Sequence, residues 1–204
     1  MNLMTAIADT LSPRVVYRAS ILLREHERNT WMAIEQFIPT VLAAAIQFTH
    51  TEDGAADFLN MLDSGHLDGK IINELEGLLS NRIAAFAMLN IGERAASKLI
   101  GDPMDAVVAA VAADLQIDES AARETLALTT VVFLELLGRE RAAKRLISYD
   151  PIVLLHHHRR KTARALPAEV ARYIELYENP TKEDTRPMPV RFAGFSLGFL
   201  RLFG

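Results

Sequence analysis

Six apolar residues, Trp31, Ile34, Ile38, Val41, Ala45 and Phe48, recur at alternating steps of three and four. Only a helix sets that spacing on one stripe, because a strand turns its side chains over at every second residue. The stripe predicts one long helix over 28–49 with a core running along it. Pro39 falls inside the span and predicts a kink, since proline removes a backbone hydrogen bond and crowds the preceding turn. A second long helix is predicted over 119–147. There Leu126, Leu128, Val131, Val132 and Leu136 leave the middle apolar almost all round, as a central buried element requires.

Helix starts punctuate the rest of the chain. Ser12-Pro13, Asp102-Pro103 and Asp150-Pro151 each place a capping side chain before a proline, whose missing N–H costs nothing at the first helical position. Asp118, followed by Glu119, is a further N-cap, with Ile117 placed to close a hydrophobic staple. Gly101 reads as a C-terminal turn and Gly138 as a weak point within its helix. Shorter helices are predicted at 2–10, 13–24, 53–63, 69–79, 83–100, 103–115, 150–164 and 167–178. The fold class is therefore all-α, a globular bundle of about ten helices over residues 1–178.

Parts of the chain echo one another. Glu93-Arg94-Ala95-Ala96, Leu99-Ile100 and Asp102-Pro103 return as Glu140-Arg141-Ala142-Ala143, Leu146-Ile147 and Asp150-Pro151. On a larger scale, residues 15–42 and 107–132 each read as a Val-Val helix, a polar turn and a long helix. Two similar helical hairpins packed together would give this pattern, and so would chance in an Ala- and Leu-rich sequence.

Composition narrows the function classes. A chain of 204 residues, 24% charged and with a net charge of −4, fits a folded protein and argues against a general nucleic-acid binder. With no Cys, it can form neither a disulfide nor a thiolate zinc site, which suits a reducing cytoplasm. The N-terminus lacks the basic-then-apolar pattern of a signal peptide. The longest charge-free stretch, Gln36 to Thr51, is too short to cross a bilayer, so no transmembrane helix is predicted.

Candidate sites are few. Asp68-Gly69 resembles the turn of a calcium loop, with Ser64, His66 and Asp68 at the first ligand positions. The bidentate acid would then fall on Leu75, so a helix-capping turn is the better reading. His156-His157-His158 cannot converge on one metal, because consecutive helical residues point about 100° apart. With Arg159, Arg160, Lys161 and Arg164 they read as a solvated basic helix face, or as a surface for an anionic partner: an acidic protein, lipid headgroups or, lowest in rank, nucleic acid. Ser20, Ser80, Ser97, Ser120 and Ser148 lack a nucleophile motif, and no phosphate-loop pattern occurs. Glu135, between Leu134 and Leu136, reads as a solvent-edge residue or one paired with Arg. No catalytic, cofactor or metal residues are assigned.

The sharpest change in composition comes last. Residues 179–189 form a polar, proline-rich linker, and the tail 190–204 that follows holds four of the nine Phe. On a helix, Phe192, Phe195, Phe199 and Leu202 share one stripe, with Phe203 beside it and Arg191 and Arg201 available to the polar side. Gly194 and Gly198 each cost such a helix roughly 1 kcal/mol. Burying one Phe contributes up to about 3 kcal/mol, so a receiving groove would order the tail. That groove is the protein's own core, another copy or another protein, or a membrane interface.

The order of elements resembles a bacterial family of unknown function, DUF937, whose members include YidB-like proteins. The likeness rests on Met1-Asn2-Leu3-Met4 leading into Leu11-Ser12-Pro13, on Phe37-Ile38-Pro39-Thr40-Val41-Leu42, and on Thr51-Glu52-Asp53-Gly54-Ala55-Ala56. The Leu67-Asp68-Gly69 turn, Lys98-Leu99-Ile100-Gly101-Asp102 and Thr129-Thr130-Val131-Val132 before Leu137-Gly138-Arg139 complete it. It covers residues 1–145, leaving 146–178 as a helical extension. It implies a helical fold and no catalytic residues. This sequence departs from the family in being more charged and in lacking a glycine-rich loop over 81–98. The expected function is a cytoplasmic, non-catalytic interaction or scaffold protein that self-associates or docks through its tail. The alternative is a peripheral membrane protein using the tail and the basic face 159–164, and an enzyme ranks third.

Overall fold

Residues 2–64, 67–143, 150–174 and 176 are described by a computed structural model. They form α1 (Leu3–Thr10), α2 (Pro13–Leu23), α3 (Glu27–Phe48), α4 (Glu52–Ser64), α5 (Lys70–Ser80), α6 (Arg82–Ile100), α7 (Met104–Leu115), α8 (Glu119–Ala143), α9 (Pro151–His157), α10 (Arg159–Ala165) and α11 (Ala168–Ala171). No strand occurs among the described residues, and the chain is all-α.

Two helices have no face to spare for water. Every residue from Phe37 to Ile46 in α3 is buried, and every residue from Thr125 to Gly138 in α8. The two pack on each other, and all of the other helices except α5, α9, α10 and α11 touch both or bridge between them. Their buried hydroxyls cause no penalty, because each bonds back one turn within its own helix. Thr125 donates to the Ala121 carbonyl, Thr129 to Thr125 and Thr130 to Leu126, each at 2.8 Å. Thr40 donates to Gln36 at 2.7 Å.

Pro39 does not break α3, which stays helical from Glu27 to Phe48. The carbonyl that loses its donor belongs to Glu35, an exposed residue. By length and hydropathy alone α3 could cross a membrane, and 67% of its apolar window is buried inside this fold.

The predicted hairpins are present as α2–α3 and α7–α8. Both first helices end on a left-handed residue that is not glycine, Arg24 at φ 56° and Gln116 at φ 54°, the only two among the described residues. In each, the next N–H reaches back to close the turn, Glu25 to Ser20 and Ile117 to Ala112, both at 3.0 Å. The two turns touch: the Asp118 N–H donates to the Glu25 carboxylate at 3.4 Å.

Helix starts follow the capping logic with two differences. Ser12 and Asp150 accept from Val15 and Ile152, and Pro13 and Pro151 occupy the first turn as predicted. Pro103 instead stands just before α7, whose start has no side-chain cap. Asn81, unremarked in the sequence, caps α6 by accepting from Ile83 and Ala84. The helix expected over 150–164 divides at His158 into α9 and α10. Of the one expected over 167–178, the described residues are helical from Ala168 to Ala171, after which a turn buries Ile174 alongside Val170. Residues 144–147, at the end of the helix predicted over 119–147, lie outside the described residues.

α6 and α8 approach each other closely. A Cβ on Gly92 would stand 2.0 Å from the Ala127 carbonyl oxygen, so hydrogen is the only side chain that fits. Gly77, in α5, has nothing within 4 Å of the same position. Gly92→Ala should therefore lower stability by roughly 1–3 kcal/mol, because backbone has to move apart. Gly77→Ala should raise it by about 0.5–1 kcal/mol through helix propensity. Urea unfolding of the two variants checks both signs at once.

Candidate functional site

The first N–H groups of α5 have no partners within the helix, and their acceptors come from two places. Asp68 accepts from Lys70 N–H at 3.2 Å, a local capping turn. Gly69 N–H donates to Glu135 Oε2 at 2.7 Å, and the Ile71 N–H also favours the charged carboxylate. Glu135 comes from the middle of α8 and is 1% exposed. It is neither at the solvent edge nor paired with Arg, as the sequence suggested, because a buried carboxylate can also be matched by the N-terminus of a helix.

The backbone around it leaves no alternative placement. Gly69 has φ 89°, a left-handed conformation, and a Cβ there would meet the aliphatic part of Arg139 at 2.8 Å. A Cβ on Gly138 would lie 1.8 Å from the Leu67 carbonyl oxygen. Gly138 is thus a point of close approach, not the weak point read from the sequence. Burial pushes the Glu135 carboxyl above its ordinary value of 4.5, and the negative charge of Asp68 adds to this, while the Gly69 N–H opposes it. Exposed Asp68 and Lys70 form an ion pair at 2.7 Å, which lowers the carboxyl and raises the amine. The Asp68-Gly69 turn caps a helix, while His66 and the side chain of Ser64 lie outside the described residues.

Two clefts open at the surface. The larger, about 830 Å³, lies where α6 ends, α7 begins and α8 passes beneath. Arg123 there reaches Asp105 at 2.7 Å and Glu93 at 3.7 Å, so its carboxylates are partly neutralised from within. Glu124, close by, is raised by burial and then by Glu93. Ser97 lines this cleft, whose described lining supplies carboxylates and guanidiniums but no imidazole. The second, about 660 Å³, lies between the α1–α2 turn and the α5–α6 turn. Ser20 and Ser80 spend their hydroxyls on helix carbonyls at 2.9 and 2.7 Å, and Ser148 lies outside the described residues.

The three histidines take separate roles. His158 is buried: its Nδ1 faces the Leu154 carbonyl at 2.9 Å and its Nε2 accepts from Leu3 N–H at 3.5 Å. It thereby serves the start of α1, where Asn2 makes no side-chain cap. His156 Nε2 stands 3.3 Å from Thr49 Oγ1, and His157 is exposed. The basic face is accordingly narrower than the sequence implied. Arg160, Lys161 and Arg164 are exposed on α10, whereas Arg159 is half-buried and His158 belongs to the core. Phe192, Phe195, Phe199, Leu202 and Phe203 lie outside the described residues, as does the linker 179–189.

Two exposed faces were missed in the sequence. On α6, Ile83, Phe86 and Ile91 are 84%, 39% and 38% exposed, with exposed Ala87 between them. On α2, Tyr17 and Ile21 are 51% and 55% exposed among arginines. Their spacing of three to five residues was the available signal. The long core stripes, far stronger, masked it.

A family model described as a bacterial protein of unknown function (DUF937) matches residues 6–140. No curated protein and no solved structure matches the chain.

Glu135 generates a pH prediction with a definite sign. A carboxyl raised in the folded state binds its proton more tightly there than in the unfolded chain. That contribution to stability is complete below 4.5 and is lost as pH rises through the raised value. Glu135→Gln keeps an acceptor oxygen for the α5 N–H groups and removes the titration. Its stability relative to the parent should therefore increase with pH across that window, as measured by urea unfolding at several pH values. Glu135→Ala, which leaves the Gly69 N–H unmatched, should cost about 1–3 kcal/mol.

Proposed function

We propose, from the premise that this chain belongs to DUF937, a bacterial family of unknown function, that it acts without catalysis as an interaction or scaffold protein. In this reading it self-associates or docks to a larger assembly through its Phe-rich C-terminal segment, 190–204. What supports the proposal is a Phe-rich segment in the sequence alongside an exposed apolar strip in the fold. Four of the nine Phe lie in that segment behind a polar linker, and α6 offers an exposed apolar strip of Ile83, Phe86, Ala87 and Ile91. Isolated exposed apolar residues are ordinary on any protein, but a strip along one helix is a surface that gains by being covered. A helical Phe stripe laid along a helix face is a common mode of recognition. The tail of one copy meeting the α6 strip of another would extend head to tail or close into a ring.

Solution mass by light scattering tests this. The full chain should have a mass that is a multiple of 22.7 kDa, and a chain ending at Glu178 should be a monomer. Phe86→Ser with Ile83→Ser should also give a monomer while leaving the unfolding midpoint nearly unchanged, since both residues are on the surface. A monomeric full chain would sink self-association. Aggregation or unfolding of the shortened chain would assign the phenylalanines to the protein's own core.

A further inference from the structure

The outward face of α2 carries a second surface, of different chemistry. Arg14, Tyr17, Arg18 and Ile21 are all exposed, while Val15, Val16, Ala19 and Ser20 are buried on the other side. At about 100° per residue the exposed four fall within an arc of roughly 100°, so apolar and cationic groups stand side by side on one ridge. From Pro13 to Arg24 there are three arginines and no acid, in a chain whose net charge is −4. Arg24 is exposed at the end of the helix and Arg28 just beyond the turn. Among the described residues, none of these four arginines has a carboxylate within ion-pair distance. Of the nearby acids, Glu25 already accepts from Asp118 N–H, Glu27 lies past the turn, and Glu74 and Glu76 of α5 line the second cleft beside Ser12 and Val15.

We propose that this face of α2 docks on an anionic lipid surface, with Tyr17 and Ile21 entering the headgroup boundary and Arg14, Arg18, Arg24 and Arg28 meeting lipid phosphates. Cationic side chains flanking an apolar crest on a helix are what such a surface recognises. Arginine suits phosphate because its planar fork donates two parallel hydrogen bonds. Neither Tyr17 nor Ile21, nor any of the four arginines, lines either cleft. The face is therefore a ridge without a groove of its own, which favours a deformable, extended partner over a protein knob. The C-terminal tail is a poor occupant, since its own charges, Arg191 and Arg201, have the same sign. The surface is separate from the α6 strip, and the inference does not depend on self-association.

Co-sedimentation of the full chain with vesicles tests it, using phosphatidylcholine alone and phosphatidylcholine with added phosphatidylglycerol. The chain should pellet only with the anionic vesicles, and less as salt is raised. Each cation near an anionic leaflet is worth about a fivefold change in partition, so Arg14→Gln with Arg18→Gln should weaken binding about 25-fold. Tyr17→Ser with Ile21→Ser should weaken it at unchanged charge. Both pairs are exposed and should leave the circular dichroism melt and the light-scattering mass unaltered. The proposal is overturned by equal pelleting with zwitterionic vesicles, by no pelleting at all, or by binding that the arginine pair does not change. Binding to soluble poly-glutamate as tight as to vesicles would also overturn it, and would point to an acidic protein partner instead.

Discussion

A helix that is apolar on every side has to be surrounded, and this fold has two of them in contact. The buried stretches of α3 and α8 leave the remaining helices little choice but to wrap around that pair. The requirement reaches down to single atoms. Hydroxyls within these stretches bond to their own helices, because no water can reach them. Where α6 lies against α8 the backbones come close enough that Gly92 has no room for a methyl group. Where the Leu67–Gly69 turn lies against α8, Gly138 has none either. Glu135 is the one ionisable group within the buried stretch of α8, and it is accommodated because the N-terminus of α5 is brought to it.

The same pair accounts for the internal symmetry. Each long helix is preceded by a shorter one that doubles back through a turn closed at a left-handed residue. Arginine and glutamine are unusual there, and each carries a modest backbone cost that glycine would avoid. Both turns retain it in the same geometry, and the two meet through Glu25 and the Asp118 N–H. Sequence similarity alone left duplication and chance open; matching caps in matching positions favour two copies of one hairpin.

Local pattern made the helices legible. Periodic apolar stripes, Ser12-Pro13 and Asp150-Pro151 are signals contained within a few residues, and they located the two long helices and most starts. What escaped was long-range. Nothing near Glu135 in the sequence indicates Gly69, 66 residues away, as its partner. Nothing near His158 indicates Leu3, so the break between α9 and α10 read as continuous helix. Pro103 misled by a single residue because a proline suits the position before a helix as well as the first within it. The surfaces of α2 and α6 are visible at helical spacing in retrospect, but exposure depends on which side of each helix the core occupies. The core can be placed only once α3 and α8 are assembled.

The hydrogen bond between His158 and Leu3 joins residues 155 positions apart. α1 precedes the other ten described helices in the chain and has no side-chain cap of its own. Its partner lies beyond both hairpins, which can pair locally before it is made. Closing so large a loop costs entropy that only an already collapsed core can offset. The α9–α10 segment, beyond the family match, thus holds α1 through a contact that local folding of the hairpins does not supply.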